Sequence, residues 1–251
     1  MPKTNKTHVL FVSVCLLLVV SVLLGLSYGD DFCPYLISTT ATGEMPYGRT
    51  LDCTSCHFGG SDMDLNPYGI QYEVNRGLDL YGFENFDADG DGQANISEIE
   101  AHTNPGNFTD ATQNNTSRTN CVSFFVGKLS NGNSINYCVS KGNKTTITNP
   151  CYINDDGKSM APLRVATEQL GGEAVWIAAD RRIDIKKNSA ITAKIWLDNQ
   201  YAQVNGNLYD MGTTPEIKNG TTFIPLRAIG DALGAKLEWV PHGKIANFII
   251  W

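Results

Sequence analysis

The sequence predicts an α+β chain of two domains: a small, mainly helical one, then an α+β domain of two β-α-β units. Three observations carry this prediction. Residues 87–106 join an acidic, glycine-punctuated loop to a helical run. Residues 107–120 are polar and aperiodic, and beyond them a motif recurs at an offset of 63 residues. The length, 251 residues, suits one or two domains. A hydrophobic content of 42% supplies core material and excludes a wholly disordered chain. A formal charge of -7 with no Lys/Arg run argues against nucleic acid as a partner.

The chain opens with a distinct segment. Residues 9–26 carry no charge, Lys3, Lys6 and His8 precede them, and Ser27-Tyr28-Gly29 places small residues before Asp30. Residues 1–29 therefore read as a secretory signal, with an uncleaved anchor as the alternative and the single expected membrane contact. Everything after Asp30 is expected to be exported, extracellular or at the cell surface. Cleavage leaves a chain near -9 with six cysteines: Cys33, Cys53, Cys56, Cys121, Cys138 and Cys151.

Two of those cysteines belong to Cys53-Thr54-Ser55-Cys56-His57. C-x-x-C-H is the attachment pattern of c-type haem. Two thiols one turn apart can each add to a vinyl group, and the next residue offers its imidazole to the iron. Cys53 and Cys56 are the expected thioether residues and His57 the proximal ligand. His102 is the favoured distal candidate, with Met63 and Met45 as alternatives. A redox disulfide would want a thioredoxin-like setting, and zinc would want a second ligand pair.

Residues 87–98 fit the EF-hand frame for calcium. Asp87, Asp89 and Asp91 supply carboxylates, Gln93 a backbone carbonyl, Asn95 a water-bridged position and Glu98 a bidentate carboxylate, with Gly92 at the sharp turn. Ile96 and Ile99 mark the helix that comes next, and Thr103-Asn104-Pro105-Gly106 ends it. Glu98 and His102 are one turn apart, so calcium would steady the candidate distal ligand.

CTSCH (53–57), LNPYG (65–69) and DADGDGQANISEIEAHTNPG (87–106) together resemble a family of small exported c-type cytochromes with one CxxCH and a DxDGDGxxNxxE calcium loop. The resemblance covers roughly residues 33–108. It implies a mainly helical haem domain, haem c and Ca2+ as cofactors, and electron transfer.

Residues 30–108 are thus expected to form the haem and calcium domain, 109–120 a linker and 121–251 the second domain. Sequons at Asn107, Asn114 and Asn115 could carry glycan or stand bare. In the second domain Met160-Ala161-Pro162-Leu163-Arg164 matches Phe223-Ile224-Pro225-Leu226-Arg227. The same offset pairs Asp156-Gly157 with Asn219-Gly220 and Trp176 with Trp239. Each unit reads as strand, turn, short helix opened at proline, and strand ending at tryptophan. Val165, Leu170, Ile229 and Leu233 should face the core, with strands near 122–126, 191–197 and 245–250 supplying the sheet. Residues 160–176 and 219–239 resemble the copper amine oxidase N-terminal, or stalk, domain family. That implies an accessory module rather than chemistry. Arg164 and Arg227 are expected to hold turn carbonyls or acidic neighbours, with an anion site as the alternative, and both tryptophans to lie in the core, with carbohydrate platforms as the alternative. Cys33, Cys121, Cys138 and Cys151 are disulfide candidates with three pairings open.

The leading expectation is an exported monohaem electron carrier, not an enzyme, attached by the stalk-like domain. Its partners would be a redox protein or extracellular acceptor, and an envelope component or copies of itself. The alternatives are a subunit of an envelope layer or conductive filament, and a haem enzyme or gas sensor with an open distal site.

Overall fold

The computed structural model describes residues 56–58, 64–74, 84–101, 103–110, 118–129 and 131–251. The expected signal (1–29), Cys33, Met45, Cys53, Met63, His102 and the sequons at Asn114 and Asn115 lie outside the described residues. Among the described residues no helix is long and apolar enough to cross a membrane.

The helices that precede the sheets are α1 (Pro67–Val74) and α2 (Asn95–Ala101), with a 3-10 turn after them at Phe108–Asp110. Three sheets make up the rest. The first takes β1 (Asn120–Phe125), β2 (Tyr137–Ser140) and β3 (Asn143–Thr146) from the near end of the domain. It is completed by β13 (Lys236–Val240) and β14 (Ile245–Ile250), in the order β13-β14-β1-β2-β3. The second runs β10-β9-β8-β7-β6 and contains β6 (Glu173–Ile177), β7 (Arg182–Lys187), β8 (Ala190–Trp196), β9 (Tyr201–Val204) and β10 (Asn207–Asp210). The third runs β11-β12-β5-β4 and contains β4 (Tyr152–Ile153), β5 (Ser159–Pro162), β11 (Glu216–Lys218) and β12 (Thr221–Pro225). Helices α3 (Leu163–Gln169) and α4 (Leu226–Leu233) each come directly after a strand that ends in proline.

The repeat explains this architecture. β5 and β12 pair antiparallel with Met160 opposite Pro225, Ala161 opposite Ile224 and Pro162 opposite Phe223. Residue 224 is the repeat equivalent of 161, so a local two-fold axis runs through the Ala161–Ile224 pair. Each outer sheet is then shared: β6 and β7 of the first unit join β8, β9 and β10, while β13 and β14 join β1, β2 and β3. Ala166, Leu170, Ile229 and Leu233 are buried between the sheets, with Val165 packed against them, as the helical periodicity requires.

The expected mainly helical haem domain is overturned. The described residues are mostly sheet, and the helices that they show in full before residue 120, α1 and α2, have eight and seven residues. Helices this short cannot build a helix-on-helix core. They spread their apolar side chains over the first sheet instead. Ile70 of α1 is fully buried with Phe125, Tyr137, Val139, Val240 and Ile245, and Phe58, Leu65 and Phe86 pack against that cluster. The opposite face of the sheet, with Val122, Phe124, Cys138, Ala246 and Phe248, belongs to the main core. The segment before residue 110 and the strands after 120 therefore share one hydrophobic cluster. The Tyr137 hydroxyl adds a link by donating to the Leu65 carbonyl at 2.7 Å.

Ile224 sits on the two-fold axis with no exposed surface. Ile224→Ala should lower the stability of the whole chain by about 2–5 kcal/mol, read as a drop in the urea midpoint.

Candidate functional site

The acidic loop is built by short-range hydrogen bonds. Asp87 accepts from the Gly90 and Gly92 amides, each at 2.7 Å. Asp89 accepts from the Asp91 amide at 3.1 Å, and Asp91 from the Gln93 amide at 2.6 Å. Gly92 takes the left-handed turn that its position predicts, with φ 100°. Gly90, at φ 79°, has a second reason to lack a side chain: a Cβ there would come within 2.3 Å of the Cys121 sulfur. The loop is thus pressed against β1.

The folded loop brings three of the predicted ligands together. One carboxylate oxygen from each of Asp87, Asp89 and Asp91 falls within 4.8 Å of the others, the one such group among the described residues. Asp89 is buried, and its Oδ2 has no hydrogen-bond partner. Burial, then repulsion from Asp91, pushes the Asp87 carboxyl up to about 6. The same causes push Asp89 well above the ordinary carboxylate range, and burial raises Asp91. An all-oxygen set of mutually repelling carboxylates with one orphaned buried oxygen fits a hard divalent cation such as calcium.

Two predicted ligands behave differently. Asn95 is fully buried; its Oδ1 accepts from the Ala88 amide at 3.1 Å and its Nδ2 donates to Gln71 Oε1 at 2.8 Å. It pins the loop to α1. Glu98 is fully buried on α2 and stands outside the aspartate grouping. Its charge, with that of Cys56 and Glu84, adds to burial in raising the Tyr68 phenol.

The sequence did not reveal what docks this loop. Asn247 of β14 donates through Nδ2 to the Asp87 and Ala88 carbonyls, each at 3.2 Å. Arg118, at the end of the polar stretch, donates to Asp87 Oδ2 at 3.0 Å and to the Gly90 carbonyl at 2.9 Å. It also reaches Glu238 of β13 at 3.2 Å. These partners lie far apart in sequence, so no local motif could announce them. A polar Asn in the middle of the apolar run IANFII was the one available signal.

Next to the loop lie Cys56 and His57, the described part of the C-x-x-C-H segment. Cys56 is buried with Tyr68 and Ala88, and Tyr72, Phe86 and Ile99 pack around them. His57 is half-buried and bridges to Leu65. Gly69 lies against the Cys56 carbonyl, and a Cβ there would fall 2.0 Å from that oxygen. The LNPYG segment is therefore shaped to hold Cys56. His242, from the β13–β14 turn, packs against Phe86 with ring centroids 5.2 Å apart and the rings tilted by 47°. That neighbour was invisible in sequence.

The remaining cysteines separate by face. Cys121 points to the loop side of the first sheet, and Cys138 and Cys151 belong to the main core. All three are buried free thiols, and burial raises each one, Cys138 to about 12. A pairing of Cys121 with Cys138 would have to cross the sheet.

Residues 139–246 match the copper amine oxidase N-terminal domain family. That domain is a non-catalytic part of the oxidase. The match covers the two repeats and supports the stalk-like reading of this half of the chain. No curated protein and no solved structure matches the chain.

The raised carboxyls give a pH dependence with a definite sign. The folded, metal-free chain holds protons on Asp87 that the unfolded chain releases near pH 4. That contribution to stability is present below about pH 4 and lost as pH rises through about 6. Melting curves in chelator should show this decline, and calcium should oppose it at neutral pH. At a hundredfold excess over its dissociation constant calcium should add about 2.7 kcal/mol. Arg118→Ala removes the cation beside Asp87 and should cost about 1–3 kcal/mol in chelator, measured in the same melts.

Proposed function

We propose that this chain is an exported electron carrier of the cell envelope, using one haem c held by Cys53, Cys56 and His57. A calcium-ordered loop braces that segment, and the stalk-like domain attaches it. The observation that carries the reading is the setting of Cys56 and His57: a buried thiol against an apolar, aromatic cluster, with an imidazole beside it. Such a wall suits the apolar face of a macrocycle. A zinc site would gather further thiols or imidazoles, and a reactive redox thiol would sit in an exposed, electropositive place.

Chemistry assigns the roles of the chain's own residues. The Cys53 and Cys56 thiols would form the covalent attachment, and His57 would hold the iron from one side. His102, immediately after the end of α2, is the proposed ligand on the other side, with Met63 and Met45 as alternatives. Ordering of Asp87, Asp89 and Asp91 by calcium would fix the base of α2 and thereby the direction in which residue 102 leaves it. Asn95 and Gln71 transmit that order to α1, on which the Cys56 carbonyl rests. When bound, the haem supplies a one-electron iron couple, and the protein sets its potential and access. No residue is assigned a catalytic role.

Protein matured with haem-attachment machinery should carry haem that survives denaturation and show a low-spin spectrum indifferent to carbon monoxide. His57→Ala should abolish that spectrum, and His102→Ala should convert it to high-spin. Absence of covalent haem in the wild type would end the cytochrome reading. Ready carbon monoxide binding would end the electron-carrier version of it.

A further inference from the structure

The two-fold relation between the repeats creates two equivalent cavities, of about 430 and 460 Å³. The first is lined by Arg164 and Trp176 of one unit and by the Thr221 turn of the other. The second is lined by Arg227 and Trp239 and by the Lys158 turn of the first unit. Arg164 and Arg227, Trp176 and Trp239, and Lys158 and Thr221 are all 63 residues apart. Each cavity is thus a composite of both units, generated twice by the axis at Ala161–Ile224.

The contents depart from what the sequence led us to expect. Trp176 is 50% exposed and Trp239 42% exposed, so neither is a core residue. Both stand on edge strands, β6 and β13, beyond the cover of the helices. Arg164 and Arg227 are exposed, and among the described residues neither makes a hydrogen bond or ion pair. They do not hold turn carbonyls or acidic neighbours. Each cavity therefore offers an uncovered indole face, an uncommitted guanidinium and side-chain donors on the facing turn.

We propose that these two cavities are binding sites for a carboxylated polysaccharide, one uronate-type residue per site. The indole face accepts the C–H face of a pyranose ring and excludes water from it. The guanidinium fork matches a carboxylate in a bidentate pair, which a neutral sugar cannot supply. Thr221 and Asn149 in the first cavity, and Lys158 and Ser159 in the second, face the ring hydroxyls. Asp210 also lines the second cavity, where it accepts from Gln200 and from the Gly212 amide, and Lys158 lines the same cavity; the first cavity has no acid in its lining. Nucleic acid is disfavoured, because each cavity holds one or two cations on a chain of net charge -7. The proposal gives the attachment module a ligand and does not depend on haem binding, so it stands or falls separately.

The test is calorimetry and tryptophan fluorescence of the mature full-length protein, titrated with tetragalacturonate, maltotetraose and tetraglutamate. Tetragalacturonate should bind at two sites and perturb the fluorescence. Arg164→Ala and Trp176→Ala should each abolish one site, Arg227→Ala and Trp239→Ala the other, and Arg164→Ala with Arg227→Ala both. Melting temperatures should hold for the arginine variants, whose side chains are exposed. If a tryptophan variant melts early, the arginine variants carry the test. No binding of tetragalacturonate up to millimolar concentration, or binding that survives the double arginine substitution, would overturn the proposal. Equal binding of maltotetraose would overturn the role of the carboxylate, and equal binding of tetraglutamate would overturn the sugar.

Discussion

Strand β14 must bury both of its faces, and the rest of the molecule is arranged to meet that demand. Ala246 and Phe248 point into the main core, while Ile245, Asn247 and Ile249 point the other way. The same holds for β1, where Val122 and Phe124 oppose Cys121 and Phe125. A sheet with apolar residues on both faces needs two covers. The helices of the repeats provide one. The other comes from the described residues before 110, whose short helices α1 and α2 lay their apolar side chains on this sheet.

That arrangement changes the meaning of the acidic loop. Three carboxylates in five residues would ordinarily stay in water. Here Asp89 is buried, Asp87 is tied by Arg118 to Glu238, and the Asp87 and Ala88 carbonyls are tied by Asn247 to the sheet. The electrostatic strain of the loop is carried into the interface it forms. A cation that relieves the repulsion therefore acts on the packing of α1, α2 and the Cys56 turn as much as on the loop.

Local features were legible in the sequence and distant ones were not. The offset of 63 residues located both β-α-β units, because a duplicated fold repeats its prolines, glycines and helix faces in step. Asp87, Asp89, Asp91 and Gly92 announced their loop because its geometry is set within a dozen residues. Asn95 obeys the same spacing and also bonds Gln71, 24 residues away in sequence, a contact no local motif announces. The helical domain failed for a related reason. The resemblance implied a mainly helical domain, whereas the surface that buries Ile70 and Phe86 is a sheet whose strands lie mostly in the distant second half of the chain. Trp176 and Trp239 misled because strand alternation gives the side a residue faces, and not whether a neighbouring strand or helix covers that side at the edge of a sheet.

The register of β1 on β14 sets Asn120 opposite Ile250. The entry and exit of the repeat domain are therefore adjacent strand ends, roughly 5 Å apart. Two strand ends this close add almost no length between them. Tension between those two points would peel the β1–β14 ladder one hydrogen bond at a time rather than shear it all at once. The fold is poorly suited to bearing a pull across its own base.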